Sequence, residues 1–173
     1  FGLTFILKGS GDADRRLADV LATGSPLIIP LALPEAYDVE DPFDALEVTL
    51  GQLKDWELAP SNAARIAEGK GVFAFTAQGL KDPADMWPNL RRMVRAGLDS
   101  ATAIAAMTTV PASLFHLEDQ VGALRAGMRA DLLITSGNLL ADDDAILETW
   151  ASGRRFIQKP LSGEDPRGLF DLN

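Results

Sequence analysis

The chain of 173 residues has no cysteine and a single histidine, His116. Without cysteine there are no disulfides and no thiolate metal sites, and cysteine usage says nothing about the compartment. One histidine cannot build a His-rich metal centre, so a site of that kind would need ligands from elsewhere. Basic charge is also scarce. Sixteen Lys and Arg against 25 Asp and Glu leave a net charge of −9, with no basic stripe, which argues against nucleic acid as a partner. Long apolar runs are missing too: residues 26–33, PLIIPLAL, are too short and too proline-punctuated to cross a bilayer, and no signal-peptide pattern or membrane contact is indicated. There is no internal repeat and no low-complexity tract. What remains is an ordinary globular composition, 47% hydrophobic and 24% charged, enough for one sizeable core and a small appendage.

Taken in order, Phe1 to Leu7 (FGLTFIL) reads as a strand, and Lys8-Gly9-Ser10-Gly11 as a turn into a helix capped by Ser10 or Asp12. Leu17, Val20 and Leu21 form one face of that helix, which Gly24 ends. Leu27 to Leu33 is apolar without alternation, as in a parallel strand covered on both sides, although Pro30 in its middle cannot donate to a ladder. Phe43, Leu46, Leu50 and Leu53 recur at helical spacing through Trp56. Pro60-Ser61-Asn62 is expected to cap another helix that stops at Gly69, and Val72 to Thr76 is a third buried strand. Gln78 to Trp87 is then a loop, and Asn89 starts a helix with Leu90, Met93 and Val94 inward. Strands alternating with helices predict an α/β parallel sheet.

Residues 97–135 are the most informative stretch. Gly97 suits the left-handed end of one helix, and Asp99 or Ser100 the cap of the next. Ala103, Ile104, Ala106 and Met107 give an apolar face. Pro111 sits near the start of a further helix, where its missing N–H costs little. Val121-Gly122, Leu124, Gly127 and the β-rich run Ala130 to Thr135 follow. Ile146 to Phe156 is expected to form a hairpin around Ala151-Ser152-Gly153, after a polar turn over residues 138–144.

Ala103, Thr108 and Pro111-Ala112, with Phe115 where a Leu is usual, then Val121-Gly122, Leu124, Gly127 and Ala130-Asp131-Leu132, resemble the C-terminal end of the amidohydrolase superfamily. These are metal-dependent hydrolases that include imidazolonepropionase-like and prolidase-like enzymes. Trp150 and Gly153 match the family's closing strand. The resemblance implies an α/β fold made of the C-terminal portion, strands six to eight, of a β/α barrel, followed by strands of a small β-sandwich. It implies a partial barrel over 1–128, sandwich strands over 129–159, and a tail or linker over 160–173. A whole barrel takes about 250 residues. A chain that opens on Phe1 in a strand-like run is therefore expected to be a fragment, partnered by the remainder of the barrel.

The resemblance also says where chemistry belongs. The family places an Asp after its eighth strand as metal ligand and base, commonly in "T/S-D", but here Thr76 is followed by Ala77 and Gln78. No catalytic residue and no metal ligand is assigned to this chain, and zinc or a similar divalent metal is left to the parent protein. Asp82 and Asp85 read as turn and capping carboxylates. His116 reads as the left-handed end of a helix, a conformation in which histidine is enriched. Ser113 has no partner for nucleophilic catalysis at a recognisable spacing. Asp12, Asp14 and Asp19, like Asp142-Asp143-Asp144, read as solvated acids. Trp56, Trp87 and Trp150 could line a pocket, and wedges between helix and sheet are their commoner use. The candidate substrate-binding residues are Gly9 and Ser10, in a strand-to-helix turn whose amides could cradle an anion, with Thr76 and Gln78. Two functions stay open: a segment of a hydrolase cleaving C–N bonds of a small molecule, or an inactive barrel kept as a binding or structural module.

Overall fold

The computed structural model describes residues 3, 5–141 and 144–159, which divide into two compact units between Met128 and Arg129. In the first unit three strands, β1 (Leu7–Lys8), β2 (Leu27–Pro30) and β3 (Phe73–Thr76), form a parallel sheet in the order β1-β2-β3. The central strand sets the pattern. Leu27 pairs with Leu7 and Phe73, Ile28 with Lys8 and Ala74, and Pro30 with Thr76. Because side chains alternate across a sheet, Leu27, Ile29, Phe73 and Phe75 share one face, and Lys8, Ile28, Pro30, Ala74 and Thr76 the other. Leu27, Ile29 and Leu31 are buried together with Ile66, Leu90 and Met93 of the helices.

Pro30 is tolerated for a specific reason. The N–H groups of Leu27 and Leu31 donate to the carbonyls of Val72 and Thr76, so the even-numbered amides of β2 face β1. At Pro30 the chain of β1 has already turned away, after Gly9 N–H donates to Ile28 O at 2.9 Å. The missing donor falls where no acceptor waits. The strand nevertheless stops at Pro30, short of the expected Leu33.

Other expected boundaries also move. Among the described residues of the run over 1–7, only Leu7 is in a strand. Leu3, Phe5 and Ile6 are exposed and unpaired, and the other three residues lie outside those described. Pairing begins only where Leu7 N–H reaches Pro26 O. A short 3-10 turn, Ala13–Arg16, leads into helix α1 (Leu17–Ala22); Asp12 precedes the turn but makes no side-chain cap bond, so neither Ser10 nor Asp12 caps the helix as expected. The single helix expected over residues 43–56 is two: α2 (Pro42–Glu47) and α3 (Leu50–Leu58). Val48 between them is extended, and Thr49 starts the second helix through a reciprocal capping box with Gln52. Two β-branched residues and a cap end one helix and restart another. As a result Phe43 and Leu46 are 79% and 82% exposed rather than part of a buried stripe.

Helix α4 (Asn62–Glu68) is entered through a 3-10 turn, Ala59–Ser61, and Ser61 makes no cap, its hydroxyl donating back to Leu58 O instead. Helix α5 (Met86–Arg95) begins three residues before Asn89, because Asp82 accepts from Ala84 N–H and opens a 3-10 turn that runs straight into it. Asp99 caps α6 (Ser100–Met107), accepting from Thr102 N–H at 2.9 Å. Ala103 and Ala106 are buried there, while Ile104 is exposed, so the apolar face is narrower than its composition suggests. Helix α7 (Thr109–Leu114) follows.

Helices α5 and α7 end alike. Gly97 has φ 109° and donates to Val94 O, while Leu98 donates to Met93 O; His116 has φ 56° and donates to Ser113 O, while Leu117 donates to Ala112 O. Both are Schellman ends, in which one left-handed residue lets two amides satisfy open carbonyls. Gly122 then turns the chain beneath α7.

The second unit is an antiparallel sheet of β4 (Leu132–Thr135), β5 (Ile146–Ala151) and β6 (Arg154–Ile157) in that order. Ser152 and Gly153 both have positive φ, as a two-residue turn of the primed type requires. Asp131 clamps this turn by accepting from Ser152 N–H, and Gly153 N–H donates to Ala130 O. Glu148, buried to 93% on β5, accepts from both Arg155 and the Trp150 indole. The Arg155 guanidinium first, and the indole second, hold its carboxyl below the usual carboxylate range. The expected tail over 160–173, and residues 142–143 of the acidic run, lie outside the described residues.

Two predictions follow from these contacts. A Cβ on Gly122 (φ +93°) would stand 2.7 Å from Ala112 Cβ and 2.8 Å from Thr108 O, whereas one on Gly127 (φ +88°) would meet nothing within 4 Å. Urea denaturation should therefore show Gly127→Ala losing about 1 kcal/mol to backbone strain and Gly122→Ala losing at least about 2 kcal/mol more to overlap; equal losses would refute the close packing. For Glu148, a carboxyl with a depressed pKa stabilises the fold above its unfolded value and loses that stabilisation as pH falls through the folded one. Thermal unfolding of wild type and Glu148→Gln should thus differ by a constant amount above about pH 5, with the difference shrinking progressively as pH falls from there.

Candidate functional site

In the first unit the C-terminal ends of three parallel strands lie side by side, and polar groups collect there. On β1 and its following turn these are Lys8, Gly9, Ser10 and Asp12; after β3 they are Thr76 and Gln78. Gly9 is committed to the sheet through its N–H, and the Ser10 hydroxyl donates to the Asp12 carboxylate. Thr76 Oγ1 accepts from Gln78 N–H at 3.2 Å, which fixes the chain as it leaves β3. The Lys8 ammonium donates to Gln78 Oε1, linking the two outer strands across the end of β2.

The four candidate substrate-binding residues thus come to one end of the sheet, as two separate pairs joined through Lys8. They do not converge on one cavity. Of the four, only Ser10 lines the cavity of about 390 Å³ that opens beside the strand ends, whose walls also include Ile29, Tyr37, Trp56 and Met93. Lys8, which joins the two pairs, is not among the four residues named from the sequence. The signal was available: a cation at a strand end, two residues in register from Thr76 on the face opposite the helices.

The donor set there does not fit a divalent metal. Ala77 offers no ligand, Gln78 Oε1 is engaged by an ammonium ion, and Thr76 Oγ1 holds a backbone amide. Among the described residues no three His, Asp or Glu side chains are grouped so as to hold an ion. The remaining candidates have structural work. His116 is exposed in its helix end, Asp82 caps its turn, Asp85 occupies the cap position of α5 without a side-chain cap bond, and Ser113 lies exposed on α7. Asp19 pairs with Arg16, and Asp144 accepts from Ser136. Trp150 is tied to Glu148.

Solved structures share this fold. An amidohydrolase from Thermotoga maritima MSB8 matches with a TM-score of 0.58 and 20% identity, over 90% of this chain and 44% of its own. A Xaa-Pro dipeptidase with methionine bound in its active site matches with a TM-score of 0.63 and 18% identity, over 90% of this chain and 40% of its own. A prolidase complexed with N-methylphosphonate-L-proline gives 0.58 and 17%, with the same two coverages. The chain therefore spans less than half the length of each, and at these identities the likeness is one of fold. No curated protein matches the chain. The family model described as "Amidohydrolase family" matches residues 60–156, more than half of the sequence and including the whole glycine-punctuated stretch from α5 to β5, so the chain belongs to the amidohydrolase family.

Proposed function

We propose that the chain is the closing part of an amidohydrolase barrel, its strands six to eight, followed by the first strands of the accompanying β-sandwich, and that the parent protein hydrolyses C–N bonds in a small amide or peptide-like molecule. The observation that carries this reading is the parallel trio β1-β2-β3 with its polar strand ends, continued by the family's helix–turn–strand signature. In this reading the rest of the barrel is the partner that covers the sheet edges. Zinc or a similar ion in the parent would be held by ligands outside this chain. This chain's contribution is Thr76, Gln78, Gly9 and Ser10, which present hydroxyl, amide and backbone groups to a substrate at the strand ends.

A second reading, an inactive barrel kept as a binding module, is favoured by one observation. The Lys8 ammonium donates to Gln78, next to Ala77, the position at which the resemblance implies an acid. The two readings separate by experiment. Elemental analysis of the full-length protein should find a stoichiometric divalent metal, with chelation lowering Tm and removing amide hydrolysis. Gln78→Ala should leave metal content unchanged and raise KM about tenfold, the cost of one hydrogen bond to substrate. A metal-free protein whose Tm is indifferent to chelators would replace the hydrolase reading with the binding module.

A further inference from the structure

The N-terminal ends of β2 and β3 border a cavity of about 250 Å³, at the opposite end of the strands from Gly9, Ser10, Thr76 and Gln78. Its walls are apolar: Val20 and Leu21 of α1, Pro26 and Leu27 at the start of β2, Val72 before β3 and Leu114 of α7. Among the described residues, Ser25 and Lys70 bring the only polar side chains to it, and Lys70 the only charge. Lys70 is set apart by its backbone. Helix α4 ends at Glu68, and the chain returns to β3 through Gly69, Lys70 and Gly71. Packing requires the flanking glycines, since a Cβ on Gly69 would overlap Leu21 Cδ1 and one on Gly71 would stand 2.7 Å from both Leu21 Cδ2 and Ile66 Cγ2. Lys70, with φ 60°, takes the left-handed position that closes the helix; its N–H donates to Ala67 O and that of Gly71 to Ile66 O. Glycine or asparagine fills such a position at less cost, and a strained residue on a cavity wall is where function is to be sought. The Lys70 side chain is exposed, and among the described residues no group pairs with its ammonium.

We propose that this cavity binds a short-chain aliphatic carboxylate, its hydrocarbon chain lying against Leu21, Leu27 and Leu114 and its carboxylate held at the rim by the Lys70 ammonium. The single positive charge on an apolar wall selects an anion over a cation or a neutral molecule. Lysine carries its point charge on a flexible four-carbon stem, so the ammonium reaches a carboxylate at the mouth while the stem covers apolar wall. The hydroxyl of Ser25, half-buried on the same wall, is a second donor. A volume of about 250 Å³ admits a short chain and excludes a drug-sized body. No residue of this wall belongs to the strand-end groups or to the cavity beside them, so the site does not depend on the hydrolase reading.

Hexanoate, hexanamide and acetate are the probes, since hexanamide lacks the charge and acetate lacks the chain. Calorimetry on the full-length protein should show saturable binding of hexanoate, with each of the other two at least about tenfold weaker. Lys70→Gly, which suits the left-handed backbone, should weaken hexanoate at least about tenfold, and Lys70→Arg should retain it. Lys70→Glu should exchange the preference, binding hexylamine in place of hexanoate, which a purely structural role of Lys70 would not produce. No saturable binding of hexanoate, hexanamide or acetate bound as tightly, or hexanoate undiminished in Lys70→Gly would each overturn the proposal. Should Lys70→Glu misfold, the three probes on the unaltered protein and on Lys70→Gly still decide it.

Discussion

The pairing of β2 between two parallel neighbours is the constraint on which the rest of the first unit depends. Its odd-numbered residues are buried against helices and its backbone is engaged by Leu7 and Gly9 on one side and by β3 on the other. A one-residue slip would send Leu27, Ile29 and Leu31 to the wrong face. Register therefore follows from hydrophobic burial, and it brings the ends of β1 and β3 to one edge. The strand-end groups and the neighbouring cavity are consequences of that alignment.

The glycine-punctuated stretch from α5 to β4 does a different job. Its Schellman ends at Gly97 and His116 and the tight passage at Gly122 reverse the chain with carbonyls satisfied and side chains in close contact. These are requirements of chain direction, and they persist whether or not the barrel catalyses. The family match can therefore be strong over this segment through chain direction and packing alone.

Charge is used unequally in the two units. Glu148 and Arg155 meet diagonally across paired strands, with the indole of Trp150 completing the carboxylate's partners. In the first unit the Lys8 ammonium reaches a neutral amide, and the ion pairs Arg15–Asp55 and Lys81–Glu35 join exposed groups. Pairs of that kind contribute little to stability.

Much of this was legible in the residues themselves. The caps at Asp82 and Asp99, the left-handed ends at Gly97 and His116 and the Ser152-Gly153 turn all rest on local geometry, which a short segment determines by itself. The split between α2 and α3 was also written locally, in Val48 and the Thr49–Gln52 capping box, but it was hidden by an apolar spacing that suggests burial. What only the tertiary structure decided is which apolar residues are covered and which distant groups meet. Phe43, Leu46 and Leu50 are exposed although their helical spacing suggests a buried stripe, and Ile104 is exposed beside the buried Ala103; Lys8 meets Gln78 across 70 residues of sequence; and the Trp56 indole is left without an acceptor among the described residues. Local propensity acts over a turn or two of chain, while burial and contact between distant residues depend on how whole elements pack.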